Sequence, residues 1–168
     1  IEVYSFPLKH RIFCTGFLFK EKPLPRKIDK YLLKKLNISV ADILFEHKDI
    51  SGSVQWIQKA IKLNPDNEIA HLKIAKIFLF TGEYPKAFTE INTVLRSDVY
   101  NAEAYFLKGM CYKNMKDTMK AISSFQTAVQ TDPKYVDAHI QLALIYKAKN
   151  NPLALRYFEN AYNADSSS

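Results

Sequence analysis

The feature that most constrains the fold is an internal period of 34 residues. A column of large apolar residues follows this period in Leu44, Phe78, Tyr112 and Tyr146. A column of small residues stands three positions earlier, in Ala41, Ala75, Gly109 and Ala143. Periods of roughly 20 to 50 residues are typical of solenoids, in which each unit packs only on its neighbours. The sequence therefore predicts a stack of repeat units.

Each unit also carries an apolar pattern that predicts a helix. Residues spaced by four and then three positions share one helix face. The pattern recurs in Ser53/Ile57/Ala60, Ala87/Ile91/Val94, Ala121/Phe125/Ala128 and Ala154/Phe158/Ala161. Turn residues punctuate the units at Asn64-Pro65, Thr81-Gly82-Glu83 and Asp132-Pro133, and proline cannot continue the helix that it follows. We therefore predict two helices in each unit, called helix A and helix B in chain order.

Residues 102–135 resemble a tetratricopeptide repeat. The matching positions are Tyr105, Gly109, Tyr112, Ala121, Phe125, Ala128 and Pro133, and the pattern departs at Lys108. The resemblance implies an all-α fold, a right-handed superhelical solenoid of antiparallel helix pairs. The period places four units at residues 34–67, 68–101, 102–135 and 136–168, after a non-repeat segment of residues 1–33. Val99 and Ser166 replace the closing proline of the second and fourth units.

The net charge of +7 is concentrated near the start of the sequence. Residues 1–36 hold nine Lys and Arg against three acidic residues, whereas residues 37–168 hold fifteen against fourteen. The basic residues of the first part are Lys9, Arg11, Lys20, Lys22, Arg26, Lys27, Lys30, Lys34 and Lys35. Such a patch could bind nucleic acid or an anionic surface, with an affinity that falls steeply with salt. This binding is the alternative function, against the simpler interpretation of a solvated basic tail.

The segment of residues 1–33 mixes aromatic with basic residues. Its alternation, broken by Pro7 and Gly16, allows a short strand pair. The apolar run after Arg11 is far shorter than the roughly 20 residues that span a bilayer, so we expect no transmembrane segment. The location stays open between the cytoplasm and the periplasmic side of a bacterial envelope, because the repeats also look similar to envelope-associated bacterial tetratricopeptide proteins.

Candidate reactive residues are few, and we expect neither enzyme activity, nor a cofactor, nor a metal site. Cys111 stands where other units have isoleucine, which indicates a buried thiol, either free or paired with Cys14. His71 and His139 hold the place of Tyr105 in their units, which favours core packing over metal binding. No metal, nucleotide or nucleophile motif occurs. The acidic residues Asp49, Asp117 and Asp132 are better explained as turn and capping residues.

The resemblance implies a non-catalytic scaffold that binds a peptide or helix in the concave groove lined by helix A. Columns at the fifth, ninth and twelfth places of helix A supply the predicted groove residues Ile38, Phe45, Leu72, Lys76, Leu79, Phe106, Met110, Lys113, Ile140, Leu144 and Lys147. Asp42 holds the ninth place of the first unit. Their chemistry predicts a protein partner with apolar and acidic residues. Contacts with neighbouring repeats, or cover by the N-terminal segment, are the competing explanation.

The fourth unit should present an open end, because terminal repeats of solenoids usually need a polar cap. We expect large residues there to be less buried than their equivalents in the second unit, which makes this end a candidate surface for homo-oligomers or for a further repeat. The expected open-end residues are Leu142, Ile145, Phe158 and Tyr162, beside Tyr146.

Overall fold

The structure is a computed structural model that describes residues 2–7, 15–20, 41, 42, 45 and 49–166. Its helices are α1 (Ile50–Leu63), α2 (Glu68–Thr81), α3 (Tyr84–Ser97), α4 (Ala102–Asn114), α5 (Thr118–Thr131), α6 (Val136–Ala148) and α7 (Leu153–Ser166). Ala41, Asp42 and Phe45 are helical as well. The described repeat region is therefore all-α, and helices α2, α4 and α6 are helix A of the second, third and fourth units.

The helices pack as consecutive pairs and form a solenoid. Within units α2 packs on α3, α4 on α5 and α6 on α7, while α1 and α2, α3 and α4, and α5 and α6 join neighbouring units. Small residues at the helix crossings are fully buried in Ala41, Ala75, Ala87, Ala121 and Ala143, whereas Ala154 of the fourth unit is only partly buried. Small side chains let two helix axes approach closely, and larger residues fill the space beside them. The predicted fold class is confirmed.

Helix boundaries follow local capping chemistry. The Asp49 carboxylate accepts a hydrogen bond from the Gly52 amide at 2.9 Å, and Asp117 accepts one from Lys120 at 3.2 Å. Asp132 accepts one from the Lys134 amide at 2.9 Å in the turn before α6. The three acidic residues therefore cap helices and turns, as the sequence predicts.

Gly109 lies where α4 approaches α5 closely in the third unit. A Cβ atom at this position would stand 2.5 Å from Cε1 of Phe125. The Phe125 ring, on α5, is fully buried against α4. The missing side chain of Gly109 therefore makes room for a large ring between the two helices of one unit.

The N-terminal part is described only for two strands, β1 (Glu2–Pro7) and β2 (Thr15–Lys20), which pair antiparallel. The expected strand pair is therefore present. The predictions that concern Cys14, Ile38 and most of the basic residues fall outside the described residues. No helix within the described ranges combines the length and apolarity needed to cross a bilayer.

Candidate functional site

The predicted groove residues form one face of successive A helices, because places five, nine and twelve are four and three residues apart. On α4, Phe106 and Met110 are half-buried and Lys113 is exposed. On α6 the corresponding accessible residues are Ile140, Leu144 and Lys147. We call this surface the helix-A face. It is open to solvent in the third and fourth units.

The second unit differs from the prediction at its fifth place. Leu72 is only 7% exposed, because its side chain belongs to the core cluster that also contains Ala41 and Ile57 of the first unit. It therefore offers a partner almost no surface. Leu79 is half-buried and packs against the same cluster.

Sequence reasoning missed two exposed residues on α2. Ile69 is 59% exposed and Phe80 is 71% exposed. They stand seven positions before and four positions after Lys76, so the three side chains share one side of the helix. The Phe80 ring meets the Phe45 ring edge-on, with 5.6 Å between centroids. Helical spacing around Lys76 was the signal that could have found both residues.

Ion pairs cross the helix-A face between consecutive units. The Lys73 ammonium lies 2.6 Å from a carboxylate oxygen of Asp42. Lys76 forms an ion pair with Glu103 of the third unit. All four side chains are at least 31% exposed, so water screens both pairs and each contributes little to stability. The main consequence for this surface is that carboxylates of the same chain already balance the positive charges of Lys73 and Lys76.

Two other lysines keep their charge available. Lys113 donates a hydrogen bond of 2.6 Å to the side-chain oxygen of Gln141, a neutral acceptor on the next A helix. Among the described residues, none forms an ion pair with Lys113 or Lys147. Both stand in the last turn of their helices, where the helix dipole favours positive charge. This edge of the helix-A face is therefore cationic.

Phe106 is both a surface residue and a packing residue. Its ring centroid lies 5.7 Å from that of Phe125 and 5.3 Å from that of Tyr135. Burial raises the pKa of the Tyr135 hydroxyl, and the nearby carboxylates of Glu103 and Asp137 act in the same direction. Tyr135 is therefore neutral at ordinary pH, and its half-buried ring packs against Phe106.

His71 is a buried structural residue of the second unit. Its Nδ1 lies 2.6 Å from a carboxylate oxygen of Glu90 on α3, and its Nε2 lies 2.8 Å from the Pro65 carbonyl oxygen. The ring is 7% exposed. Both nitrogens thus tie helix A to its surroundings, and the prediction of core packing is confirmed.

His139 holds the equivalent place in the fourth unit with one contact fewer. Its Nε2 donates to the Pro133 carbonyl oxygen at 2.9 Å. Its buried Nδ1 has no hydrogen-bond partner among the described residues. Tyr157 stands at the place of Glu90, and its ring lies 6.0 Å from the imidazole. The ring is again buried, as the sequence predicts.

Cys111 is a fully buried free thiol. Burial raises its pKa to about 11, so the thiolate that would act as a nucleophile or metal ligand is scarce at neutral pH. Within the described ranges, no group of three or more His, Cys, Asp or Glu residues is arranged to hold a metal ion.

An open cleft of about 710 Å³ lies elsewhere, between α1 and α3. Its apolar wall includes Ile50, Val54 and Phe78, and its polar rim includes Glu83 and Glu90. Because α1 and α3 are B helices, this cleft is separate from the helix-A face.

Of the residues expected at the open end, Phe158, Tyr162 and the half-buried Tyr146 are less buried than their equivalents in the second unit, whereas the two aliphatic residues of α6 stay almost fully enclosed. Phe158 is 37% exposed and Tyr162 is 75% exposed, whereas the equivalent Ile91 of the second unit is fully buried. Leu142, however, is fully buried and Ile145 is 9% exposed. Both pack with Phe125 and Ala121 of the third unit, so they face the preceding repeat and not the open end.

Comparison with known proteins identifies the repeat. The family model described as "Tetratricopeptide repeat" matches residues 102–135. A curated relative, the DnaJ protein P58IPK homolog of Arabidopsis thaliana, is 28% identical over 102 residues, which are 60% of this chain and 21% of that protein. The chain thus spans about a fifth of this relative's length.

Solved structures show the same fold. The structure described as MamA 41-end from Desulfovibrio magneticus RS-1 is 24% identical, with a TM-score of 0.65 over 83% of this chain and 77% of that chain. PilF of Pseudomonas aeruginosa is 20% identical, with a TM-score of 0.71 over 83% of this chain and 64% of that chain.

Proteins built from this repeat mediate protein–protein interactions, and the family is generally non-catalytic. The repeat period, the buried small-residue columns and the matched unit at residues 102–135 agree on one assignment. Residues 102–135 match the tetratricopeptide repeat, and the described repeat region has the all-α solenoid fold of proteins built from it.

Proposed function

We propose that this chain is a non-catalytic scaffold that binds a segment of a partner protein on its helix-A face. The observation that carries the proposal is the exposure of Phe80, at 71%, beside the ring of Phe45. A large aromatic side chain left in water on a regular helix forgoes the free energy that burial would give it. Exposed apolar clusters with polar surroundings are typical of interaction sites.

The partner segment should combine apolar and acidic residues. Ile69, Phe80 and Leu144 provide exposed apolar contacts along the face. Lys113 and Lys147 provide cationic contacts at the C-terminal ends of α4 and α6, where no described carboxylate neutralises them. Acidic groups of the partner therefore fit that edge, and its apolar side chains fit the surface around Phe80.

A displayed library of random peptides tests the proposal for a partner of any identity. Selection on the wild-type protein should enrich sequences that contain apolar residues and Asp or Glu. Phe80→Ala should lower the affinity for the selected peptides by at least about tenfold. Lys113→Glu should lower the affinity for those peptides that carry acidic residues. Fluorescence anisotropy with the purified variants measures both effects.

Tyr100→Ala is the matched control. Tyr100 is a large aromatic residue that is 79% exposed, but it lies in the turn between α3 and α4. Binding should survive this change. Selected peptides that bind Phe80→Ala and Lys113→Glu as tightly as the wild type would refute the helix-A face as the site.

Phe106→Ala is a second and less selective variant. We expect it to weaken peptide binding, because the Phe106 ring is partly accessible. Its contacts with Phe125 and Tyr135 mean that stability also falls, so binding must be compared at temperatures where both proteins are folded. Equal binding by wild type and Phe106→Ala would remove Phe106 from the site.

A further inference from the structure

The two edges of the solenoid differ in charge. Because the paired helices are antiparallel, the turns within units lie at one edge and the turns between units lie at the other. We call these the A–B edge (residues 79–86, 113–120 and 147–154) and the B–A edge (residues 62–69, 96–103 and 130–137). The A–B edge carries six lysines against two acidic residues, whereas the B–A edge carries three basic residues against six acidic ones. The repeats are nearly neutral as a whole, but their charges are separated between the two edges.

The unbalanced positive charge of the A–B edge lies in the third and fourth units. Lys86 of the second unit forms an ion pair with Glu83. Lys120 of the third unit pairs with Asp117 in the same way. The other lysines of this edge are exposed, and within the described ranges no ion pair balances Lys113, Lys116, Lys147 or Lys149. Two neighbouring turns therefore present four positive charges to solvent.

Exposed apolar side chains stand among these lysines. Met115 is 51% exposed and Met119 is 75% exposed, on either side of Lys116 in the sequence. Leu153, which follows Lys149 at the start of α7, is 40% exposed. Each of these side chains forgoes the free energy that burial would give it. Methionine is flexible as well as apolar, so it adapts to an irregular surface.

The B–A edge shows that apolar exposure alone does not distinguish the two edges. Val99 is 56% exposed and Tyr100 is 79% exposed there, but the acidic residues Asp98 and Glu103 flank them. Only the A–B edge combines exposed apolar residues with unbalanced lysines. An anionic bilayer surface accepts this combination, because its headgroups attract lysine and its headgroup–acyl boundary takes up apolar side chains. Nucleic acid would match the lysines alone.

We propose that the A–B edge of the third and fourth units binds the surface of a membrane that contains anionic lipids. The two units lie side by side, since Lys113 at the end of α4 reaches Gln141 on α6. One bilayer surface can therefore meet Lys116 and Lys149 together, with Met119 between the headgroups. The edge runs along the solenoid, so a further repeat would extend it and would not cover it. Edge-on binding leaves the helix-A face accessible to a protein partner.

Vesicle sedimentation with the full chain tests the proposal. The probes are vesicles of phosphatidylcholine alone and vesicles in which about 30% of the lipid is phosphatidylserine. The protein should bind the second kind only, and the affinity should fall as salt is added. The basic residues near the start of the sequence could attract the same vesicles, so paired variants must locate the contact.

Two double variants with the same change of net charge locate the contact. Lys116→Glu with Lys149→Glu should lower the affinity for the anionic vesicles by at least about tenfold, because both changes put negative charge against the headgroups. The control is Lys62→Glu with Arg96→Glu, since both residues are exposed on the B–A edge. The control should lose less than about threefold, because its charges stay farther from the membrane than the screening length.

A second pair of variants tests the apolar contact. Met115→Ser with Met119→Ser retains every charge and should lower the affinity for the anionic vesicles by at least about fivefold. The fold should survive this change, because both side chains are at least half in water. Tyr100→Ser, on the B–A edge, should leave the affinity unchanged.

Three results would overturn the proposal. One is equal binding of the wild type to both kinds of vesicle. Another is equal affinity of the two double charge variants for the anionic vesicles, which would assign the attraction to net charge or to the first part of the chain. The third is a single-stranded oligonucleotide that displaces the vesicles, with vesicle binding that does not change in Met115→Ser with Met119→Ser. Peptide binding measured with Phe80→Ala is independent of these variants, so the helix-A face is tested separately.

Discussion

The second and fourth repeat units have the same two-helix plan, but they differ in how far their side chains are enclosed. Ile91 of the second unit is fully buried, and Phe158 at the equivalent place of the fourth unit is 37% exposed. Both residues continue the same apolar column. The comparison shows that the apolar column provides side chains suited to burial. These side chains are buried only where a neighbouring unit packs on them.

The buried histidines extend the comparison to polar groups. His71 contacts both Glu90 and the Pro65 carbonyl oxygen, whereas within the described part of the chain His139 bonds to the Pro133 carbonyl oxygen alone. A hydrogen bond to a carboxylate is worth more than one to a neutral acceptor. The second unit is therefore held more tightly at this place than the fourth.

The largest expected difference between enclosed and open units comes from two phenylalanines. Phe125→Ala should lower the free energy of unfolding by about 3 to 5 kcal/mol, because Phe125 is fully buried and the change leaves a cavity. Phe158→Ala, at the same place of the fourth unit, should cost roughly 1 to 2 kcal/mol, since part of the ring is already in water. Urea unfolding followed by circular dichroism measures both. Equal losses would mean that the Phe158 side chain is covered in solution.

A smaller effect is expected where helix A meets helix B. Gly109→Val should cost about 1 to 3 kcal/mol, because a Cβ atom would stand 2.5 Å from the buried Phe125 ring. Ala143→Val at the same place of the fourth unit should cost less, because its counterpart Phe158 can move toward solvent. Thermal unfolding of the two variants provides the comparison. A larger loss of stability in Ala143→Val than in Gly109→Val would show that the fourth unit is the more rigid one.

The histidines should give the next largest difference. His71→Phe removes two hydrogen bonds and leaves Glu90 without its partner, at a cost of about 1 to 2 kcal/mol. His139→Phe removes one hydrogen bond together with a buried Nδ1 that lacks a partner among the described residues, so its cost should be below about 1 kcal/mol. A double-mutant cycle of His71→Phe with Glu90→Ala isolates the contact with the carboxylate. No coupling in that cycle would contradict the geometry.

The sequence predicted the helical repeats well, because residues one repeat period apart occupy equivalent positions where two helices cross. Ala75, Ala143 and Cys111 are buried as their columns indicate. Surface residues were harder to predict. Phe80 was missed because it extends no apolar column, since its place holds Asn114 in the third unit and Ala148 in the fourth.

Burial on helix A also depends on which neighbour a residue meets. Leu72 and Phe106 share one column, yet Leu72 is buried in the core cluster and Phe106 stays partly accessible. Likewise, the repeat pattern cannot tell whether an apolar residue faces the preceding or the following unit. Leu142 and Ile145 face the preceding unit, which is why they are buried while Phe158 is exposed.

The smallest expected effect concerns the ion pairs between units. Lys76 pairs with Glu103, but one repeat later Met110 stands at the place of Lys76 and Asp137 at the place of Glu103. Met110→Lys should therefore create an equivalent pair with Asp137 and stabilise the junction of the third and fourth units by at most about 0.5 kcal/mol. Lys76→Met should lower the free energy of unfolding by a similar amount, because it removes the ion pair at the junction of the second and third units.

Salt separates this electrostatic effect from packing. Both differences should shrink when urea unfolding is repeated at about 1 M salt, where the screening length falls to about 3 Å. A gain in Met110→Lys that persists at high salt would instead come from the aliphatic part of the lysine side chain, which can pack where methionine did. In that case the junction of the third and fourth units would differ from its predecessor in packing and not in charge.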